Sequence, residues 1–202
     1  MNLLRKITIL ALLLLAGQAC ALEYNQVQLN QSALTFGYRQ MGVPMEGKFS
    51  KFSAQISFDP AKLASAQAHI DVNLASIDTG SSDADESVAG KLWFNTKVYP
   101  LASFVSTGVK ALGGNRYQAT GKLSIKGRTL DVTAPVTFQA DSNRGSFDGS
   151  FNIKRLDYGI GTGEWTDLDT VAADVQIKFH LVVLAAPAAA PPSSTQPQRK
   201  KP

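Results

Sequence analysis

Apolar side chains recur at every second position through most of this chain, in short runs cut by Gly, Asn, Asp and Pro, and that period belongs to strands with one buried face. Leu34, Phe36 and Tyr38 alternate, then Phe52, Ala54, Ile56 and Phe58 up to Asp59-Pro60, then Ala66, Ala68, Ile70, Val72 and Leu74. A fourth run covers 102–112, where Phe104 and Val105 stand side by side and leave the phase open. Gly113-Gly114-Asn115 offers the positive φ of a hairpin turn and leads into a strand over 117–125. Lys126-Gly127-Arg128 turns into Leu130, Val132, Ala134, Val136 and Phe138, and Asp141-Ser142-Asn143 into Phe147, Gly149, Phe151 and Ile153. The last run holds Val171, Ala173, Val175, Ile177, Phe179, Leu181 and Val183. Eight such strands joined by tight turns predict an all-β fold, an eight-stranded antiparallel sheet closed into a barrel, because closure removes the exposed edges. A barrel of that size is filled by its side chains or holds one small ligand.

One stretch departs from the period, SSDADESVAGKLWF over 81–94. Ser82 and Asp85 have capping-box spacing, Asp83, Asp85 and Glu86 suit a helix N-terminus, and Ala84, Val88 and Leu92 recur at four-residue steps. A short helix follows, its acids in water and its apolar side, with Ala89 and Trp93, laid across one barrel mouth. Gly90 weakens it by about 1 kcal/mol. The acids lack the spread of oxygen ligands that a calcium loop needs.

The ends bound the compartment. Arg5 and Lys6 precede an apolar run over 7–17 and the small residues Ala19-Cys20-Ala21, the pattern of a secretory leader over 1–21 with cleavage after Ala21. Cys20 is the chain's single cysteine, so the exported part carries no disulfide, thiol nucleophile or thiolate metal site. Of the net charge of +4, Arg5, Lys6, Arg199, Lys200 and Lys201 belong to the two ends, and the folded part is left near −1, with no basic face for nucleic acid. Residues 185–202 are rich in Pro, Ala and Ser and read as a disordered basic tail, leaving one folded domain over 22–184 in the periplasm or secreted.

Few side chains are candidates for chemistry. His69 and His180 fall in the outward phase of their strands, and the chain has no nucleophile elbow or paired-histidine motif. Arg155 continues the inward phase of Phe147 to Ile153, and a buried guanidinium needs partners, for which Asp157, Asp78 and Glu164 are available. It is read as a structural ion pair or as a polar anchor for a ligand headgroup. Phe36, Tyr38, Phe58, Trp93, Phe94, Phe151, Tyr158, Trp165 and Phe179 converge with Ile153 on the interior, while small inward residues (Ala54, Ala66, Ala68, Ala134, Gly149, Ala173) leave room between them. An apolar cavity suits a hydrophobic ligand.

Several motifs together resemble the YceI-like family of exported bacterial proteins: Phe94-x5-Pro100-x3-Phe104 with Tyr99, Gly121-Lys-Leu-Ser-Ile-Lys-Gly127-Arg-Thr129 and Arg155-Leu-Asp157-Tyr158-Gly159. Gly47-x-Phe49-x2-Phe52, Ile56-x-Phe58-Asp59 and Ser76-Ile77-Asp78-Thr79-Gly80 add to the set. The resemblance implies a lipocalin-like barrel with a helix at its mouth and an apolar tunnel that binds a polyisoprenoid, such as the tail of an isoprenoid quinone, with no other cofactor, metal or catalytic residue. The expected protein is a periplasmic carrier, with Arg155 and Asp157 as its polar rim. Transient membrane contact and a homodimer through an apolar outer face of 102–112 are further expectations. Two other classes stay open: an envelope interaction protein acting through its tail or outer surface, and a lipid-modifying barrel enzyme.

Overall fold

Alternating side chains build eleven strands in the computed structural model, which describes residues 22–187. The expected leader and the tail beyond Pro187 lie outside the described residues. The strands are β1 (Leu22–Val27), β2 (Ala33–Gln40), β3 (Val43–Phe49), β4 (Phe52–Ser57), β5 (Gln67–Asn73), β6 (Ile77–Asp78), β7 (Leu101–Gly113), β8 (Arg116–Ile125), β9 (Arg128–Asp141), β10 (Arg144–Lys154) and β11 (Asp174–Pro187). One α-helix, α1 (Ser82–Ala89), follows β6.

Eleven strands make a barrel of eight staves. The ladder of β4 on β5 is continued round a corner by β3 on β6, so β3 and β4 act as one bent strand and β5 and β6 as its partner. The corner is tied where Ser50 N–H donates to the Ser76 carbonyl at 3.0 Å and Asn73 N–H to the Lys51 carbonyl at 3.0 Å. In the same way β1 and β2 share one stave: β2 pairs the first half of β11 and β1 its last residues. Tyr24 and Phe58 then exchange two backbone hydrogen bonds of 2.9 and 3.1 Å and join β1 to the end of β4. With β11 paired to β2, the antiparallel sheet closes on itself.

The three strands absent from the sequence reading, β1, β3 and β6, are each one half of these bent staves. β3 carries the alternation Val43, Met45, Gly47, Phe49, masked by Pro44 and by a glycine in the inward phase. In β1 the register shifts between Tyr24 and Gln26, which breaks the period. The expected tail boundary also moves, because Ala185, Ala186 and Pro187 pair with Tyr24, Glu23 and Leu22. A bulge between Ser106 and Gly108 explains the open phase of β7. Phe104 faces in, and Val105 faces out beside His69 and Lys122.

Four inward aromatic rings lie flat along the wall because each covers a glycine. A Cβ on Gly47, Gly121, Gly145 or Gly149 would overlap ring carbons of Phe36, Phe104, Phe138 or Phe179 respectively. Gly149 therefore seats the Phe179 ring rather than leaving a gap. One end of the barrel is plugged by Phe58, whose ring meets Tyr117, Phe138 and Phe147 edge-on at centroid distances of 5.3, 4.8 and 5.1 Å. A second cluster around Leu74, Ile125 and Tyr158 packs near the helix end, and the lumen lies between the two.

At Gly121 a methyl group would also sit 2.6 Å from the Val105 carbonyl oxygen, which is backbone and cannot swing away. Gly121→Ala is expected to cost about 1–3 kcal/mol, read as a lower urea midpoint at unchanged slope.

Candidate functional site

The lumen is a cavity of about 490 Å³, within the range of small-molecule sites at about 300–1,000 Å³. It runs from Gln40 at one end of β2 to Leu34 at the other, and from Ile153 to Phe147 on β10. Six residue steps along a strand give it a length of about 20 Å. Its wall is aliphatic and aromatic. Of the ten apolar positions expected there, Phe36, Tyr38, Phe58, Trp93, Phe94, Phe151, Ile153, Trp165 and Phe179 line it. Tyr158 is the exception. It is 2% exposed within the core cluster behind the wall, and its hydroxyl has no hydrogen-bond partner. Of the small inward residues, Ala66, Ala68 and Ala134 line the cavity, and Ala54 and Ala173 do not.

Arg155 is 1% exposed, and the carboxylate partner expected for it is absent. Its five N–H groups all end on main-chain carbonyls. Nε donates to Ala172 at 3.0 Å, Nη1 to Ile160 and Gly161 at 3.0 and 2.8 Å, and Nη2 to Trp165 and Val171 at 2.6 and 2.7 Å. Gly161 has a φ of +72°, and a Cβ there would overlap Nη1, so only glycine brings that carbonyl in. The guanidinium also lies 5.5 Å from the centre of the Trp93 ring, a cation–π contact. Burial lowers its pKa, yet a guanidinium stays charged in proteins. The expected polar rim is thus corrected: Arg155 touches the cavity but has no free donor for a headgroup, and Asp157 is exposed and outside the wall.

Lys126 and Arg128 extend the same device. Lys126 Nζ donates to the carbonyls of Gly159 at 2.7 Å and Lys91 at 3.2 Å, and burial followed by the nearby Arg128 charge lowers its pKa. Arg128 Nη1 donates to the Asp157 carbonyl at 2.9 Å. Three cations thereby hold the segments around residues 91–92 and 155–172, which carry Trp93 and Trp165 with ring centroids 5.3 Å apart.

Thr35, Ser57, Gln67, Ser103, Ser106 and Tyr117 also line the lumen, and a further polar group stands at the helix end. Tyr38, Gln40, Thr79, Asp83 and Ser87 line it there, with Ala84 and Val88 as the apolar side of α1. The helix cap differs from the expected box: Ser81 accepts from Ala84 N–H, and Asp85 reaches back to Thr79, accepting from its N–H at 2.8 Å and its hydroxyl at 2.7 Å. Burial, and then the Asp85 charge, raise the Tyr38 pKa. The sequence signal for this group was the run Ser76 to Gly80, read only as a family motif. His69 and His180 stand on the outer wall beside Asp71 at 3.2 Å and Asp148 at 2.6 Å.

A YceI-like domain profile matches residues 25–183. A UPF0312 protein of Pseudomonas putida is 32% identical over 178 residues, covering 82% of this chain and 93% of that protein. Among solved structures, BcnA of Burkholderia cenocepacia is 49% identical, covers 78% of this chain and 99% of its own, and superposes with a TM-score of 0.76. A polyisoprenoid binding domain from Saccharophagus degradans, implicated in plant cell wall breakdown, shares the fold at 18% identity and a TM-score of 0.63, covering 82% of this chain and 99% of its own.

Two outcomes test this description. Arg155→Met leaves five carbonyls without their donor and is expected to cost more than about 3 kcal/mol in chemical denaturation, with Arg155→Lys rescuing little because three donors replace five. For Tyr158, burial, then the Asp157 charge, raises the pKa from 10.0 to about 12. The folded state holds this proton more tightly, so stability is full below pH 10 and falls by about 2–3 kcal/mol in total as pH rises to 12. Tyr158→Phe is expected to remove that alkaline loss, seen by denaturation at stepped pH, without destabilising the protein at neutral pH.

Proposed function

This chain belongs to the YceI-like family, and we propose that it is a periplasmic carrier for an isoprenoid lipid, with an isoprenoid quinone as the favoured cargo and no chemical step of its own. The cavity carries this reading. About 20 Å of apolar tunnel accepts a chain, and Tyr38, Gln40 and Ser87, which line its helix end, are placed to meet a headgroup. Each buried methylene contributes about 0.8 kcal/mol, so ten carbons supply about 8 kcal/mol before ordering costs, the scale of micromolar binding. No directed polar contact is needed for that affinity.

Charge narrows the cargo. Arg155 is the one cation on the described wall and is fully engaged, and Asp83 is the one carboxylate there, so the lumen offers an anionic headgroup no free cation and favours a neutral one. A general base or acid would need an inward group poised near neutral pH, and the Tyr38 shift runs away from it. The leader pattern over 1–21 supports export to the periplasm, and cargo exchange implies transient membrane contact. The polyisoprenoid binding domain with the same architecture supports the ligand class.

Native mass spectrometry of protein purified without detergent from its host, followed by extraction and identification of the bound material, tests the reading. One isoprenoid per chain is expected. A protein that is empty, and stays empty after incubation with quinones, overturns it.

A further inference from the structure

The barrel wall is unzipped along part of one seam. β8 pairs with β9 from Ile125↔Arg128 to Arg116↔Thr137, and β10 pairs with β11 along its whole length to Lys154↔Asp174. Between β9 and β10, however, the ladder holds only from Arg144↔Asp141 to Gly149↔Val136. Residues 128–135 of β9 and 150–154 of β10 face each other without a backbone ladder. Pro135, which has no N–H to donate, stands where the ladder stops. Just before it the strands are in close contact, since a Cβ on Gly149 would lie 2.5 Å from the Pro135 carbonyl.

The far end of the gap is fastened by side chains instead. Arg128 donates to the Asp157 carbonyl and Lys126 to the Gly159 carbonyl, both across the gap. The opening is therefore bounded at both ends. Behind it lie Ala134, Phe151 and Ile153, which line the lumen, and Leu130 in the inward phase of β9 is 38% exposed. A depression on the outer wall, lined by Arg116, Thr137 and Asp148 on the laddered side, reaches the seam at Pro135 and Ser150 and shares Tyr117, Val136 and Phe179 with the lumen.

We infer that this seam is a side portal of the lumen, through which an apolar lipid chain is threaded and exchanged, separate from the helix-covered end. The inference rests on the lipid-binding reading above. Its edges are unpaired backbone that water satisfies when the portal is empty, and its inner lip is aliphatic, so a chain crosses it without leaving apolar contact. A cargo longer than the lumen keeps its surplus here.

The test staples the seam. Thr133→Cys and Asn152→Cys are placed at the exposed pair that the ladder register would set opposite one another, with Cys20, the only native cysteine, changed to Ala. The two tryptophans, Trp93 and Trp165, both line the lumen, so quenching of their fluorescence reports arrival of a short-chain isoprenoid quinone from phosphatidylcholine vesicles. Oxidation is expected to slow uptake at least about tenfold, equivalent to 1.4 kcal/mol of barrier, without changing the final quenching, and reduction to restore it. Leu130→Trp/Trp93→Phe, which crowds the lip without a cross-link and keeps Trp165 as reporter, is expected to slow uptake as well. Equal rates in the oxidised, reduced and Leu130 variants overturn the portal and leave lipid binding standing. Absence of quenching in every form overturns lipid binding and the portal with it.

Discussion

Closing a sheet of eight staves demands that every backbone donor and acceptor near the ends find a partner while the strands bend, and at the helix end of this barrel that demand converges on one guanidinium. Arg155 gathers carbonyls from Ile160, Gly161, Trp165, Val171 and Ala172, five points on a segment joined to β2 by a single bridge, Val171 to Gln40. A carboxylate could have satisfied the charge of that arginine but not the carbonyls. Because an unsatisfied buried carbonyl costs about 1–3 kcal/mol, the segment and the side chain are each unstable without the other. Trp93 and Trp165, which line the lumen, are positioned by this arrangement rather than by packing alone.

Emptiness in the lumen also has a specific origin. Long aromatic side chains would fill a barrel of this size, but cross-strand glycines let Phe36, Phe104 and Phe179 lie down along the sheet. The rings cover backbone and leave the axis free. At the opposite end Phe138 also covers a glycine, Gly145, but its ring meets Phe58 edge-on and lies tilted on Phe147 at 4.6 Å, and with Phe58 edge-on to Phe147 the three make the plug. Thus one amino acid both lines and closes the tunnel.

Period two made the staves legible in the sequence, and the break at 81–94 made the helix legible, because both depend on local spacing. The corners were not legible. Nothing in Ser50-Lys51 announces that the strand continues after turning, since the bonds that continue it come from Asn73 and Ser76. Phe36, Tyr38, Phe58, Phe151, Ile153 and Phe179 line the lumen as their inward phase implies, but residue type alone, used for the aromatics outside the strands, does not distinguish one on the lumen from one behind it, as Tyr158 shows. For Arg155 the phase was informative and the partner was not: charge complementarity points to carboxylates, whereas the actual acceptors belong to every residue and leave no mark in the sequence. The polar group at the helix end was hidden because its members come from β2, the stretch after β6 and α1, and meet only in three dimensions.

Leu22 pairs with Pro187, side by side at the plugged end and remote from α1. The chain therefore enters at Leu22 and leaves at Pro187 at neighbouring points on the barrel. A pull or a tether on either flank then acts on the barrel at its closed base, as a cup is held by its foot.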